Sequence, residues 1–331
     1  LDRMAGAISD RHPDMPLPVT RLLAGRDTGG LEIDSYLDPK IRNLLPDPSI
    51  FKDMDKGAAR LADAVEAGTP VGVFGDYDVD GAAAAGLLVN VLGALGLAVD
   101  VHIPDRMREG YGPNEAALSA LQERGAGLIV TVDCGIAAHG PLEKVAQTGM
   151  DVIVVDHHLA GPELPRAHSV INPNRLDEDG AYGHLCAAGV VFILLVALLR
   201  ELRRRGAFES GRPPDLMRQL DLVGLATVCD VVPLRGINRA FVGQGLKMLA
   251  RRGNIGLACL ADVSGLNTPP SGHTFGFMLG PRITSGGRIA PSDPGVRLLL
   301  TDSRPSGSCL RPARVERHIR RRRTHHAIPP H

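Results

Sequence analysis

The chain has 331 residues, of which 44% are hydrophobic and 22% are charged, and this balance excludes a globally disordered protein. Its 37 basic and 37 acidic residues cancel, so net charge alone predicts no polyanionic partner. Residues 303–331, however, hold eight arginines and one acidic residue, which leaves 29 basic and 36 acidic residues in 1–302. The body of the chain is mildly acidic and its end is strongly basic.

Cysteine spacing and apolar run length limit the environment of the chain. The five cysteines are scattered and form no CxxC pair, which disfavours both a disulfide framework and a cysteine-rich zinc site. The longest apolar run, Val190 to Leu199, has ten residues, whereas a membrane span needs about 20. We therefore expect a cytoplasmic protein in a reducing compartment, with no membrane partner.

The predicted elements alternate along most of the chain. Residues 1–50, rich in proline and aspartate, predict short helices and turns, which we interpret as an N-terminal extension. The predicted strands are Val71–Gly75, Val99–Ile103, Leu128–Val132, Asp151–Val155 and Ser169–Ile171. The predicted helices are Lys52–Ala67, Gly81–Leu95, Pro113–Arg124, Pro141–Thr148, 188–205, Asp215–Val228 and Asn238–Ala250. This alternation is typical of βαβ units, and we predict an α/β fold with a parallel β-sheet flanked by helices over residues 51–250.

The last eighty residues give a weaker signal. Residues 251–302 are punctuated by glycine and proline, and we interpret them as the end of the core and a connector. Residues 303–331 have no apolar periodicity, and we expect a disordered basic tail there.

Polar clusters directly follow four of the predicted strands. They lie at Asp76–Asp80, Asp105–Tyr111, Asp133–Gly135 and Asp156–His158. Ligands of a parallel sheet bind beyond the carboxyl ends of its strands. We therefore expect these clusters to meet at the one edge of the sheet where chemistry takes place.

The densest cluster is GDYDVDG, in which Asp76, Asp78 and Asp80 alternate. Like charges at this spacing raise one another's pKa, and a bound hard cation such as Mg, Mn or Ca compensates for the repulsion. An EF-hand loop also begins D-x-D-x-D-G, but its twelfth position would fall on Leu87 instead of glutamate, so that interpretation fails. An acidic turn that only caps the helix near Gly81 is the remaining alternative.

Three further segments add candidate ligands. Asp156 is followed by two imidazoles, His157 and His158, which point in different directions, so that one can bind metal while the other faces substrate or solvent. Asp133 ends a buried strand, where it could instead cap a helix or join a salt bridge. Asp230 lies among apolar residues, where an unpaired charge is costly, so we expect a cation or an arginine beside it. Together these groups supply roughly six ligands, the inventory of a two-metal hydrolytic site.

The motifs GDYDVDG, VDCG, VVDHH and ATVCDVVPL resemble, in order and spacing, those of the DHH phosphoesterase superfamily. IPDRMREGYGPN, INPNR, HLCAAGVVF and GPRITSGGR look like signatures of its RecJ-type branch of single-strand-specific exonucleases. The resemblance covers about residues 17–302 and implies a DHH phosphoesterase catalytic domain at 51–250. It also implies two divalent cations, Mn²⁺ or Mg²⁺, held or bridged by Asp76, Asp78, Asp80, Asp133, His157 and Asp230.

The resemblance implies further roles. Asp133, Asp156 and His158 would take part in catalysis, with His158 contacting the scissile phosphate or orienting the site and Asp156 fixing a histidine ring. Phosphate and nucleic-acid contacts would fall to Arg106, Tyr111, Arg282, Ser285, Gly286, Gly287 and Arg288. The implied function is 5′→3′ hydrolysis of single-stranded DNA in repair and recombination, with single-strand-binding or repair proteins as further partners. Aromatic stacking capacity is thin, because Tyr77 and Tyr111 are the aromatic residues that the sequence places near the cleft.

The chain departs from the family pattern in three places. Cys229 and Thr284 stand where we expect alanine and asparagine. After Asp302 the likeness stops, and the DHH-associated domain and OB-fold of full-length relatives have no counterpart. A frameshift, an early stop, a fragmentary gene or a basic tail that grips DNA would each give this pattern, and we expect a truncated core with impaired action on long strands.

Two alternatives to the exonuclease function stay open: a small-substrate phosphodiesterase acting on oligonucleotides or cyclic dinucleotides, and a non-catalytic nucleic-acid-binding remnant.

Overall fold

The computed structural model describes residues 1–26, 33–106, 108–209, 211–289 and 294–301, with the backbone alone for 285–289. Within these ranges the chain forms a five-stranded parallel sheet with helices on both faces, which confirms the predicted fold class. The strands are β1 (Val71–Gly75), β2 (Val99–His102), β3 (Leu128–Val132), β4 (Val152–Val155) and β5 (Ser169–Ile171). Their order is β2-β1-β3-β4-β5, and every neighbouring pair is parallel.

The α-helices of the described ranges fall before, between and after the strands. Those before the sheet are α1 (Asp2–Arg11), α2 (Leu17–Ala24), α3 (Ile33–Leu37), α4 (Ile41–Leu44) and α5 (Met54–Ala67). Those between strands are α6 (Val79–Ala94), α7 (Glu115–Glu123) and α8 (His139–Gln147). Those after β5 are α9 (Ala187–Arg204), α10 (Leu220–Cys229), α11 (Gly236–Arg251), α12 (Ile255–Val263), α13 (Gly280–Ile289) and α14 (Pro294–Leu299). Short 3-10 turns cover Pro48–Ile50 and Leu216–Gln219, and a π-helical segment covers Thr274–Leu279.

Alternate residues of each strand enter different layers of the core. Val73 of β1 and Val130 of β3 lie in a large cluster with side chains of α5, α6 and α9. Their chain neighbours Phe74 and Ile129 lie in a second cluster with α7 and α8. Because both faces of the sheet are buried at β1, β3 and β4, these strands are nearly continuous apolar runs in the sequence, whereas the edge strand β2 is half-buried and carries Asp100 and His102. Helix α10 packs between α6, α9 and α11 and adds a further layer on the first face.

The N-terminal segment lies against this core. Helix α4 packs on α11, and the guanidinium carbon of Arg239 lies 3.8 Å from the centre of the Tyr36 ring. The same guanidinium donates two hydrogen bonds to the Tyr36 carbonyl oxygen. This packing agrees with the expected extension over a larger domain, while the domain boundaries themselves stay predictions. No helix among the described residues combines the length and the apolar character needed to cross a membrane.

Two stretches differ from the sequence prediction. The helix predicted over Asp215–Val228 consists of a 3-10 turn and then α10, because the Asp215 side chain accepts a hydrogen bond from the amide of Met217 and starts a tighter turn. The glycine- and proline-rich stretch 251–302 contains helical elements in its described part, among them α12, α13 and α14. Residues such as Gly280 and Pro294 stand at helix starts, where they do not interrupt the helix.

Candidate active site

The carboxyl edge of the sheet brings three acidic residues together. Asp76 follows β1, Asp133 follows β3 and Asp156 follows β4, and these three strands are neighbours. The turn from β1 into α6 is tight, since a Cβ atom on Gly81 would lie 2.5 Å from the carbonyl oxygen of Asp76. Asp78 caps α6 by accepting a hydrogen bond from the Gly81 amide at 3.0 Å. The capping alternative is thus realised by one acidic residue of the cluster, and it leaves the others facing the edge.

His157 is the point at which these segments converge. Its Nε2 atom lies 3.2 Å from Oδ1 of Asp133 and 3.7 Å from carboxylate oxygens of both Asp80 and Asp230. Asp230 reaches this place from the C-terminal end of α10, not from a strand. The structure therefore brings residues from four separate parts of the sequence within contact of one another.

Three groups of side chains have the spacing of metal ligands. In each group the candidate ligand atoms lie within 4.8 Å of one another. The groups are Asp76, Asp78 and Asp133; Asp80, His157 and Asp230; and Asp133, His157 and His158. Asp133 and His157 each belong to two groups, which is the sharing expected of two adjacent ions with a bridging ligand.

Several atoms of this cluster are buried without a hydrogen-bond partner among the described residues. They are Oδ1 of Asp76, Oδ1 of Asp133, Nε2 of His157 and Oδ2 of Asp230. A buried polar atom without a partner costs about 1–3 kcal/mol, and such atoms are rare in folded proteins. Orphaned oxygen and nitrogen atoms clustered in this way fit bound divalent cations, which would supply the partners that these atoms lack.

The electrostatics of the cluster agree with this interpretation. Burial, reinforced by the negative charge of Asp78, raises the pKa of Asp76 to about 7 and the pKa of Asp230 to about 6. Burial and the neighbouring carboxylates also hold the pKa values of Asp80 and Asp133 well above the usual range. Carboxyl groups packed in this way are unfavourable when ionised, and a bound cation would reverse that balance.

Asp80 is bound on both of its oxygens. It is fully buried, and it accepts hydrogen bonds from the amides of Ala187 at 2.6 Å and Ala188 at 2.8 Å. These amides are the first of α9, where the helix dipole favours a negative charge. Asp80 therefore connects the cluster of candidate metal ligands to helix α9.

Asp156 holds the second histidine of the DHH triplet. One of its oxygens lies 2.7 Å from Nδ1 of His158 and accepts the amides of His157 and His158, and the other accepts the amide of Ile136. Burial opposes ionisation, but these hydrogen bonds outweigh it and lower the pKa of Asp156. The hydrogen bond to Asp156 in turn raises the pKa of His158, whose ring lines the cleft described next. This is the geometry of a carboxylate that fixes a histidine ring. The part of Asp156 in catalysis stays a prediction.

A cleft of about 590 Å³ opens over the cluster. The Tyr111 hydroxyl lies in it, donating to the carbonyl oxygen of Asp133 at 3.2 Å and lying 3.3 Å from Nδ1 of His158. Arg106 lines the cleft as well, with its guanidinium carbon 5.1 Å from the centre of the Tyr77 ring. The same cleft contains a cationic group and two aromatic rings within reach of the acidic cluster, a combination suited to a nucleotide.

A family model described as "DHH family, N-terminal domain" matches residues 70–226. A crystal structure of exonuclease RecJ bound to manganese superimposes with a TM-score of 0.72 at 34% identity, over 85% of this chain and 68% of that chain. The chain belongs to the DHH family, in its RecJ group. It is 38% identical over 257 residues to the single-stranded-DNA-specific exonuclease RecJ of Bacillus subtilis (77% of this chain, 31% of that protein). It is 36% identical over 300 residues to the RecJ of Escherichia coli (89% and 51%). The chain thus spans about a third to a half of the length of the curated relatives it matches.

Within this RecJ-group chain, the residues expected to contact DNA from the GPRITSGGR motif have different placements. Arg282 lies in α13 and donates a hydrogen bond to the carbonyl oxygen of Met278 at 2.6 Å, and it is not among the residues that line the cleft. For four others the structure describes the backbone alone: Ser285, Gly286, Gly287 and Arg288. Their roles in binding DNA stay predictions.

The structure also gives the INPNR motif a role that the sequence did not assign to single residues. Asn172, directly after β5, donates from Nδ2 to the carbonyl oxygen of His158 at 2.9 Å. Asn174 donates in the same way to the carbonyl oxygen of His157 at 2.5 Å. Their place one strand beyond β4 is the signal that could have identified them as the residues that hold the two histidines.

The two departures from the family pattern lie in the cleft wall. Cys229 and Thr284 both line it, next to Gly280 and Pro281. A Cβ atom on Gly280 would overlap the Cys229 sulfur, so α13 approaches the end of α10 as closely as a glycine permits. The Gly-Pro dipeptide at the start of the GPRITSGGR motif was the sequence signal for this approach.

Proposed function

We propose that this chain hydrolyses phosphodiester bonds of single-stranded DNA from the 5′ end, as a 5′→3′ exonuclease of repair and recombination. Two divalent cations, Mn²⁺ or Mg²⁺, are its proposed cofactors. The observation that carries the proposal is the set of orphaned buried ligand atoms on Asp76, Asp133, His157 and Asp230. The names of the relatives supply the substrate class.

The residues of the cluster divide between two ions. Asp76 and Asp78 would hold one ion, Asp80, His157 and Asp230 would hold the other, and Asp133 would bridge them. When bound, the ions supply an activated water and neutralise charge on the phosphoryl group. Backbone amides already hold the carboxylates of Asp78 and Asp80 in place, so less conformational entropy is lost when these residues bind an ion.

The remaining polar groups act on the substrate. His158, whose Nδ1 is bound to Asp156, presents the rest of its ring to the cleft and can donate a hydrogen bond to a phosphate oxygen. Arg106 offers a planar guanidinium, which binds a terminal phosphate through two parallel hydrogen bonds. Tyr77 and Tyr111 offer rings on which a base can stack.

A nuclease assay tests the proposal. A 5′-phosphorylated single-stranded 30-mer carries a ³²P label in its 5′ phosphate in one sample and a fluorophore at its 3′ end in another, with Mn²⁺ or with chelator. We expect immediate release of a labelled mononucleotide from the 5′-labelled strand, stepwise shortening of the 3′-labelled strand, and no reaction in chelator.

Two variants make the assay specific for the cluster. Asp133→Asn should abolish cleavage, whereas Asp221→Asn, a matched change in a carboxylate buried outside the cleft, should not. Cleavage that persists in Asp133→Asn or in chelator contradicts the proposal. Mononucleotide release from the 3′ end contradicts the polarity. Turnover of a dinucleotide but not of the 30-mer would instead identify the small-substrate phosphodiesterase, and salt-sensitive binding without cleavage would identify the non-catalytic remnant.

A further inference from the structure

One aromatic side chain of the chain is exposed in a way that the proposed chemistry does not use. Of the seven phenylalanines, all of them in described residues, Phe277 is the one with an exposed side chain, at 72% of its full accessibility. Its ring stacks on His273, with the ring centres 5.1 Å apart and the planes inclined by 18°. His273 is exposed as well. The two rings stack on each other, and both side chains are exposed to solvent.

This aromatic pair lies next to the wall of the cleft and is not among its lining residues. Phe277 lies on the π-helical segment Thr274–Leu279, whose Gly276 lines the cleft, and Pro281, about one turn further along, lines it too. Segments of π-helix occur often at functional sites. Phe275 of the same segment is fully buried, and its carbonyl oxygen accepts a hydrogen bond from the Cys229 thiol, so the segment is fixed to the end of α10 beside Asp230.

The aromatic residues deeper in the cleft already have contacts. Tyr111 is bound to Asp133 and His158, and the Tyr77 ring faces Arg106. A strand whose terminal nucleotide occupied the acidic cluster would meet these rings first. A base further along the strand would need another aromatic surface outside the cleft.

We propose that Phe277 and His273 form a stacking platform for a nucleobase of a single strand as it leaves the cleft. The proposal rests on the proposed function and adds a binding site to it. Stacking of bases on aromatic rings is independent of sequence, because every base has a π face, and removal of one such ring weakens binding by roughly ten- to a hundred-fold. The stacked arrangement of the two rings is already formed in the free protein, so little ordering of these side chains is required on binding.

Fluorescent oligonucleotides test the platform. Single-stranded 12-mers carry 2-aminopurine at one position each, and they are titrated into the full chain with the cleavage-blocking change Asp133→Asn. We expect one internal position to be quenched on binding, Phe277→Ala to remove that quenching and weaken binding about ten-fold, and Phe277→Trp to restore both. Leu22→Ala, at another exposed apolar residue on α2, is the control and should match the parent protein.

A second measurement separates stacking from a general structural effect. In the cleavage-competent chain, Phe277→Ala should lower kcat/KM for a 12-mer relative to that for a dinucleotide by about ten-fold, through KM. Equal quenching and equal 12-mer affinity in the parent and in Phe277→Ala would overturn the platform and leave the proposed function standing. A parent protein that neither binds nor cleaves any single strand would overturn both.

Discussion

Replacement of Asp133 by asparagine separates metal binding from folding. Asp133 has a φ of 60°, in the left-handed region that asparagine tolerates better than most residues, so this change keeps the backbone, whereas alanine would strain it. In the free protein the asparagine removes one of several buried carboxylates and brings an N–H group to atoms that have no partner, such as Nε2 of His157. We therefore expect the variant to be more stable than the parent without metal, by about 1–3 kcal/mol.

The same change removes the proposed bridging ligand, so most of the stabilisation by metal should be lost. At a free Mn²⁺ concentration 100 times its Kd, the parent gains about 2.7 kcal/mol from binding. For a chain of this size, with an unfolding entropy of roughly 0.6–0.7 kcal/mol/K, that corresponds to a rise in Tm of about 4 °C. The variant should show a higher Tm in chelator and little or no rise with Mn²⁺.

Differential scanning fluorimetry over a Mn²⁺ titration measures both effects. Asp221→Asn, which leaves the cleft unchanged, should keep the full Mn²⁺ shift and serves as the matched control. An Asp133→Asn variant that is destabilised in chelator and still gains the parental Mn²⁺ shift would refute the reasoning, since it would show that this carboxylate neither repels its neighbours nor binds the ion.

Three further predictions concern single contacts. Burial raises the pKa of Asp221 from 3.8 to about 7, so the free energy of unfolding should fall as pH rises from about 4 to 7. In urea denaturation, the free energy of unfolding of Asp221→Asn should exceed that of the parent by up to about 4 kcal/mol at pH 8 and by little at pH 4. Gly280→Ala should lower kcat and Tm because its Cβ atom would overlap the Cys229 sulfur, and adding Cys229→Ala should restore most of both values. If the losses of the two single variants in kcat and Tm simply add in the double variant, the contact is contradicted. Tyr77→Leu should weaken the preference for 5′-phosphorylated over 5′-hydroxyl strands, whereas Tyr77→Phe should keep it, because the face of the aromatic ring positions Arg106. An equal preference in the two variants would show that the ring does not position Arg106.

Sequence patterns predicted the sheet well because β1, β3, β4 and β5 are buried throughout. The strands Leu128–Val132 and Ser169–Ile171 have the bounds that the sequence predicted. The helical part after residue 205 was harder, since its boundaries depend on local hydrogen bonds such as the one that Asp215 makes to Met217. Gly236, Gly280 and Pro294 in that part are the first residues of helices, although glycine and proline also commonly follow helix ends, so residue type alone does not distinguish the two.

The order of the chain by itself determined which residues stand at strand ends, and with them the acidic and histidine residues of the cluster. A parallel sheet places the carboxyl ends of neighbouring strands at one edge, so Asp76, Asp133 and Asp156 had to lie near one another. Only the tertiary structure decided how their atoms meet. It placed Asp230 beside His157 through the packing of α10, and it turned Asp80 toward the first amides of α9. Packing between helices distant in sequence is set by the shapes of whole surfaces, and no local pattern records that information.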